Sequence, residues 1–200
     1  MKAKVVVMPG IHLNLGCGNF PMNGAMNVDV SPASRADLLA DLSFFPYPFR
    51  TSSVEKIYTS HMLEHLTDPF KAMAEFHRIL VPGGSLIVQV PHFSRGFTHP
   101  DHKRGFDVTF PFYFDPEFQG GYSGTPFALK HMHLRWFSQP ALKRTVLSSA
   151  QFRIATILGS LIDTLANLSP WFCSRCWAFL VGGFEEMEFH FVSRKSKDRL

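Results

Sequence analysis

Leu13-Asn14-Leu15-Gly16-Cys17-Gly18 is the stretch on which the reading of this chain turns. Residues 11–15 alternate as a short apolar strand and run straight into two glycines, so the glycines stand at the carboxyl end of a strand. A missing side chain there lets a ligand approach the backbone, and the amides that follow can donate hydrogen bonds to it. A dinucleotide fingerprint needs a third glycine at position 21. Pro21 stands there instead, with no N–H to offer and a ring that disturbs close helix packing. Nicotinamide and flavin dinucleotides are therefore disfavoured. Asp29 ends a second short strand at 27–30, and Asp41 follows a third at 36–40. One carboxylate can accept from a ribose diol and the other from an adenine amino group. Turn capping explains either acid taken singly, but less well both at consecutive strand ends.

Working outward, residues 54–60 read as a fourth strand after the turn-rich 44–49. Residues 68–80 show helical spacing, with Phe70, Met73, Phe76 or His77, and Leu80 on one face and Asp68-Pro69 at the start. Pro82-Gly83-Gly84 stops that helix, and 85–90 forms a strand expected to be buried on both faces. Such alternation describes an α/β fold with a parallel sheet and a ligand beyond the strand ends. Residues 93–125 carry Gly, Pro, Asp and Phe without a period and are expected to form a lid or insertion. A strand at 127–137, helices at 140–150, 154–168 and 171–180, and a closing strand at 184–193 complete the chain. The organisation is one domain: a ligand-binding half at 11–92, the lid at 93–125, and C-terminal strands and helices at 126–193.

Composition bounds the function. Among 200 residues, 46% are hydrophobic and 18% charged, which excludes disorder for the bulk of the chain. The net charge of +4 is partly owed to Arg194, Lys195, Lys197 and Arg199, and is too mild to imply nucleic acid. Arg153, Asp163 and Arg175 interrupt the apolar stretch near the C-terminus, leaving no run near the roughly 20 residues of a membrane span. Met1-Lys2-Ala3-Lys4 leads into a strand-like Val5-Val6-Val7 without a signal-peptide pattern, so a cytoplasmic location is expected. The three cysteines give no disulfide framework, and Cys173-x-x-Cys176 is read as a pair of buried thiols. Of the 21 Phe residues, Phe93, Phe97, Phe106, Phe110, Phe112 and Phe114, with Tyr113 and Tyr122, fall in the insertion. They would either line an acceptor cavity or give the insertion its own small core, and the second is favoured. The apolar helices at 154–180 are read first as core packing.

Five stretches in order carry a family resemblance: 13–18, Asn27-Val28-Asp29-Val30, Ala40-Asp41-Leu42, Ser60-His61-Met62-Leu63-Glu64-His65-Leu66, and 75–84 ending Pro82-Gly83-Gly84. Together they resemble the class I S-adenosylmethionine-dependent methyltransferases, of the methyltransferase type 11-like, small-molecule kind. The resemblance implies a Rossmann-like sheet of seven strands, the last antiparallel, with helices on both faces. It implies S-adenosyl-L-methionine as cofactor, touched by Gly16 and Gly18, with Asp29 at the ribose and Asp41 and Leu42 at the adenine. Asn14, Cys17 and Ser60, within the same motifs, join the expected cofactor contacts. Only ten residues separate Gly18 from Asp29, near the lower limit for a crossover, so the first helix must be abbreviated or absent. Ser31 or Asn27 could then share the ribose.

Methyl transfer from a sulfonium needs an in-line nucleophile, so alignment supplies much of the rate and a base serves only some acceptors. His61, after the fourth strand, is the first candidate for acceptor contact or base, and His92, past the fifth, the second. Glu64 and His65 lie three and four positions beyond His61 and could face it. His65, His99 and His102 are candidate acceptor contacts, the last two in the run His99-Pro100-Asp101-His102-Lys103-Arg104. No spacing among these histidines, His131 and His133 matches a catalytic zinc frame, so no metal is expected. The function read from the sequence is methyl transfer to an oxygen or nitrogen of a small molecule, of the sugar or secondary-metabolite type, by a monomer or homodimer. A non-catalytic cofactor-binding subunit and an RNA or protein methyltransferase are the rivals.

Overall fold

A computed structural model describes residues 10–96 and 99–195. The valines at 5–7, Phe97, Lys197 and Arg199 lie outside the described residues. Strands β1 (Ile11–Leu15), β2 (Met26–Asp29), β3 (Leu38–Leu39), β4 (Val54–Ser60), β5 (Leu80–Pro91), β6 (Phe127–Arg135) and β7 (Glu186–Ser193) form one sheet in the order β3-β2-β1-β4-β5-β7-β6. The first five pair in parallel, and β7 runs antiparallel to both β5 and β6. This is the Rossmann-like sheet, with its single antiparallel last strand, that the motifs imply.

Register sorts the side chains. Leu13 pairs with Ile57, Ile57 with Leu86, and Leu86 with Phe191, so these point to one face. That face is sealed by α1 (Pro69–Ile79), whose Met73, Phe76 and Ile79 are buried and whose first turn is closed by Asp68 accepting from the Lys71 amide at 2.9 Å. A 3-10 turn at Phe110–Phe114 packs beside it, the Phe114 ring lying 5.7 Å from Phe70 and 5.9 Å from Phe191. The opposite face is polar and half-buried: Tyr58 and Ser60 both donate to the Gln89 side-chain oxygen, and Gln89 donates to Glu188. Strand β5 is thus covered fully on one face only, not on both as its run suggested.

Other boundaries moved for local reasons. No helix lies between β1 and β2, and none in the next two crossovers; turns fill them. The expected helix at 140–150 stops early as α3 (Pro140–Lys143) and resumes at α4 (Ser149–Ala166), because Ser148 and Gln151 form a reciprocal capping box that starts a new helix. The one at 171–180 divides into α5 (Pro170–Arg175) and a 3-10 turn at Trp177–Phe179. A short α2 (Phe93–Gly96) follows β5. Helix α4 docks on the end of β6 through Asn167, which bonds the Leu134 amide and carbonyl, and Asp163, which accepts from the Trp136 amide. Core packing does not account for its apolar face: Ile154, Ile157, Leu158 and Leu161 are exposed, as are Trp171 and Phe179. Cys173 is buried but Cys176 is exposed, so only one of the two thiols matches its expectation.

Because Phe106, Phe110 and Phe114 are buried against the sheet, residues 106–114 belong to the core. Phe114→Ala should cost about 3–5 kcal/mol in urea unfolding, as truncation of a fully buried ring does. A loss below about 1 kcal/mol would place this segment outside the core.

Candidate active site

The glycine loop is held by hydrogen bonds where a helix would otherwise anchor it. The Gly16 and Cys17 amides both donate to the Val28 carbonyl, at 2.9 and 3.1 Å, and the Arg35 amide donates to the Gly18 carbonyl at 2.9 Å. Both glycines have positive φ, +73° and +50°. A Cβ on Gly16 would fall 2.7 Å from the Met62 side chain, whereas one on Gly18 would meet no atom within 4 Å. Gly16 therefore admits Met62, and Gly18 faces open space. Asp29 accepts from the Gly18 amide at 2.8 Å and the Ser31 amide at 2.9 Å, and Asp41 accepts from the Ser43 amide at 2.8 Å. Each acid caps a turn and also stands on the wall of a cavity of about 340 Å³, with Gly16, Gly18 and Leu42. A carboxylate oxygen that takes one amide retains a lone pair, so both acids can still accept from a ligand. Two such acceptors beside bare backbone suit a nucleoside rich in hydroxyl and amino donors.

Three expected contacts are elsewhere. Asn14 is buried and spends its amide on Asn27 and the Phe20 carbonyl. The Cys17 thiol is buried and points to the Gly18 carbonyl, and the Ser60 hydroxyl belongs to the Gln89 network. None of the three lines the cavity; Met62 and Leu66 do, from the motif in which the sequence points to Ser60, the two histidines and Glu64.

His61 follows β4 with φ +51°, a left-handed conformation that a histidine adopts at a cost and that is concentrated at functional sites. The turn aims its ring between two carboxylates: Nε2 lies 2.9 Å from Glu186 and Nδ1 3.2 Å from Glu64. Burial works to lower its pKa, but the hydrogen bonds and charges of Glu186 and Glu64 prevail and raise it to about 9. His61 is thus an imidazolium at neutral pH, a donor and a positive charge; the expectation that it serves as base is corrected. His92 is corrected more fully. It is wholly buried, its Nδ1 lies 2.7 Å from the Ser94 hydroxyl and its Nε2 2.9 Å from that of Ser174, and it lines neither this cavity nor the next.

His65, His99 and His102 do meet. Their rings lie 4.7–5.9 Å apart, because the Lys103 amide donates to the Glu64 carbonyl at 3.0 Å and Lys103 and Arg104 both bond Thr67. These three and His61 border a second cavity of about 620 Å³, which Arg95, Lys143 and Glu185 also line. Arg95 and Lys143 both pair with Glu185. The two cavities share His61 and His65. Sequence reasoning missed Glu185 and Glu186; two adjacent acids opening an apolar strand after Gly182-Gly183 were the available signal.

Burial pushes His92 down to about 4, against a smaller raising effect of Asp107. A depressed value means that the unfolded chain takes up a proton which the folded chain refuses, so the His92 contribution is full above about pH 6.5 and is lost as pH falls toward 4. His92→Gln should melt below the parent above pH 6.5, with the gap narrowing through that window. A gap independent of pH would mean that His92 is not held neutral.

Residues 13–88 match the family model described as a methyltransferase domain. No curated protein matches the chain. Among solved structures, an S-adenosylmethionine-dependent methyltransferase of Mesorhizobium loti is 16% identical, with a TM-score of 0.55 over 91% of this chain and 90% of that one. One from Archaeoglobus fulgidus is 14% identical, with a TM-score of 0.53 over 92% and 86%. Phosphoethanolamine N-methyltransferase 2 of Haemonchus contortus, solved with S-adenosyl-L-methionine, is 14% identical, with a TM-score of 0.52 over 93% of this chain and 49% of that one. Residues 13–88 thus match a methyltransferase domain, and the sheet that they begin is similar in fold to those of solved S-adenosylmethionine-dependent methyltransferases.

Proposed function

We propose that the enzyme methylates an oxygen or nitrogen of a small polar molecule, of the sugar or secondary-metabolite type, held in the larger cavity. The observation that carries this reading is the junction: His61 and His65 border both the cavity of Gly16, Gly18, Asp29 and Asp41 and the larger one. The bound cofactor supplies an electrophilic methyl on a sulfonium. Around it the chain's residues position rather than deprotonate, since the imidazolium of His61 donates a hydrogen bond and has no lone pair to take a proton. His65 and His99 border the cavity that would hold the acceptor.

A small acceptor is favoured over RNA because Glu185 pairs with both Arg95 and Lys143 of the cavity wall, which works against a phosphate backbone. Asp29 at the ribose and Asp41 with Leu42 at the adenine are the cofactor assignments we retain, with residues 99–105 as the part of the insertion that covers the acceptor. The enzyme is read as cytoplasmic and as a monomer or homodimer; among the described residues no helix is long and apolar enough to cross a membrane.

Calorimetry with S-adenosylmethionine and S-adenosylhomocysteine, with NAD as control, should give binding of the first two only. Gly18→Val places its side chain in open space at a backbone cost of about 1–2 kcal/mol, so the variant should fold and lose cofactor affinity; unchanged affinity would remove the loop from the site. His61→Gln should leave cofactor affinity nearly intact and lower turnover on a panel of labelled hydroxyl and amine acceptors by on the order of a hundredfold. Loss of cofactor binding would make His61 a structural residue.

A further inference from the structure

Glu64 presents an unusual demand. Its side chain is 0% exposed, and beyond the His61 ring neither carboxylate oxygen meets a hydrogen-bond donor among the described residues. Burying an ionised carboxylate costs several kcal/mol unless something of opposite charge compensates. The rings nearest to it are His61 at 3.2 Å and His102 at 3.8 Å, both on the Oε1 side. One atom each of Glu64, His65 and His102 lies within 4.8 Å of the other two. His65 is already oriented: its Nδ1 lies 3.2 Å from the Asp101 carbonyl, and donation there leaves Nε2 with the lone pair.

We propose that Glu64, His65 and His102 bind a divalent transition-metal ion, zinc foremost, with an open coordination position toward the larger cavity. Two imidazoles and one carboxylate make a donor set that suits zinc and related ions rather than magnesium. Three protein ligands leave room for an exchangeable one, as catalytic zinc sites do. Ligand bonds of about 2.0–2.2 Å require the three atoms, now up to 4.8 Å apart, to draw together by as much as about 1 Å. The loop bearing His102 is tethered to the Glu64 turn by the Lys103 amide, so the ligands are brought together by the fold before any ion arrives. His65 and His102 border the larger cavity, which provides both an entry path and a place for an acceptor oxygen on the ion. Spacing in sequence could not reveal this set, since His102 comes from a loop far along the chain from the motif that carries Glu64 and His65.

The second part of this inference, the open position facing the acceptor, rests on the reading of the larger cavity as the acceptor site. The test begins with the metal-free protein after chelation, titrated with zinc chloride by calorimetry and with magnesium chloride as control. One zinc per chain is expected, with affinity falling by roughly tenfold or more in His102→Gln and further in the His65→Gln, His102→Gln double variant. Absence of stoichiometric zinc binding, or a double variant that binds zinc like the parent, overturns the site. Circular dichroism of the same variants establishes that they are folded, and S-adenosylhomocysteine titration of His102→Gln, which lies off the smaller cavity, reports on the cofactor reading independently. Cobalt in place of zinc adds a spectrum: visible absorption that changes on adding imidazole marks an exchangeable position, and a spectrum that imidazole does not move overturns the open position.

Discussion

The ion pair between His61 and its two carboxylates joins the halves of this molecule. Glu64 comes from the turn after β4 and Glu186 from the first residue of β7, and Arg135 at the end of β6 lies 3.2 Å from the same Glu186. A buried carboxylate left without its partner is strongly destabilising, so each member of this line requires the others. The left-handed backbone of His61 follows from that requirement: the chain must turn abruptly out of β4 for one ring to reach acids from both halves. The strain at this residue and the juncture of the two cavities are therefore one feature seen in two ways.

The glycine loop answers a different constraint. With no helix in the first crossover, the amides of Gly16, Cys17 and Gly18 lose the scaffold that ordinarily orders such a loop. They are satisfied by the Val28 carbonyl and the Asp29 carboxylate. Asp29 has two duties as a result, shaping the loop and facing the cavity, and Asp41 divides itself in the same way between the Ser43 amide and the cavity. Turn capping and ligand contact were rival readings of these acids. The geometry allows both, because a carboxylate has more lone pairs than a turn consumes.

Much of this was legible in the sequence. Strand β4 falls at 54–60 as its pattern implied, Asp68 caps α1, and Gly16, Gly18, Asp29, Asp41 and Leu42 line one cavity. These features depend on local patterning and on residues at strand ends, which composition records directly. What escaped depends on distance in the chain. His92 occupied a plausible position past a strand, but burial between Ser94 and Ser174 could only be known once the C-terminal helices were placed. The Glu186 partner of His61 is 125 positions away. The exposed face of α4 was misread because apolar periodicity signals a face that avoids water, and carries no information on whether anything in the same chain covers it.

Residues 16–53 hold no helix and only two short strands, so their order rests on turn bonds and on the loop's ties to β2. Regions of that kind open at lower free energy than a packed core. A ligand seated against Gly18, Asp29 and Asp41 adds to the stability of this half by mass action, by about 2.7 kcal/mol at a hundredfold excess over its dissociation constant. If the methyl donor sits there as proposed, the resistance of the glycine loop to proteolysis rises with the donor's concentration.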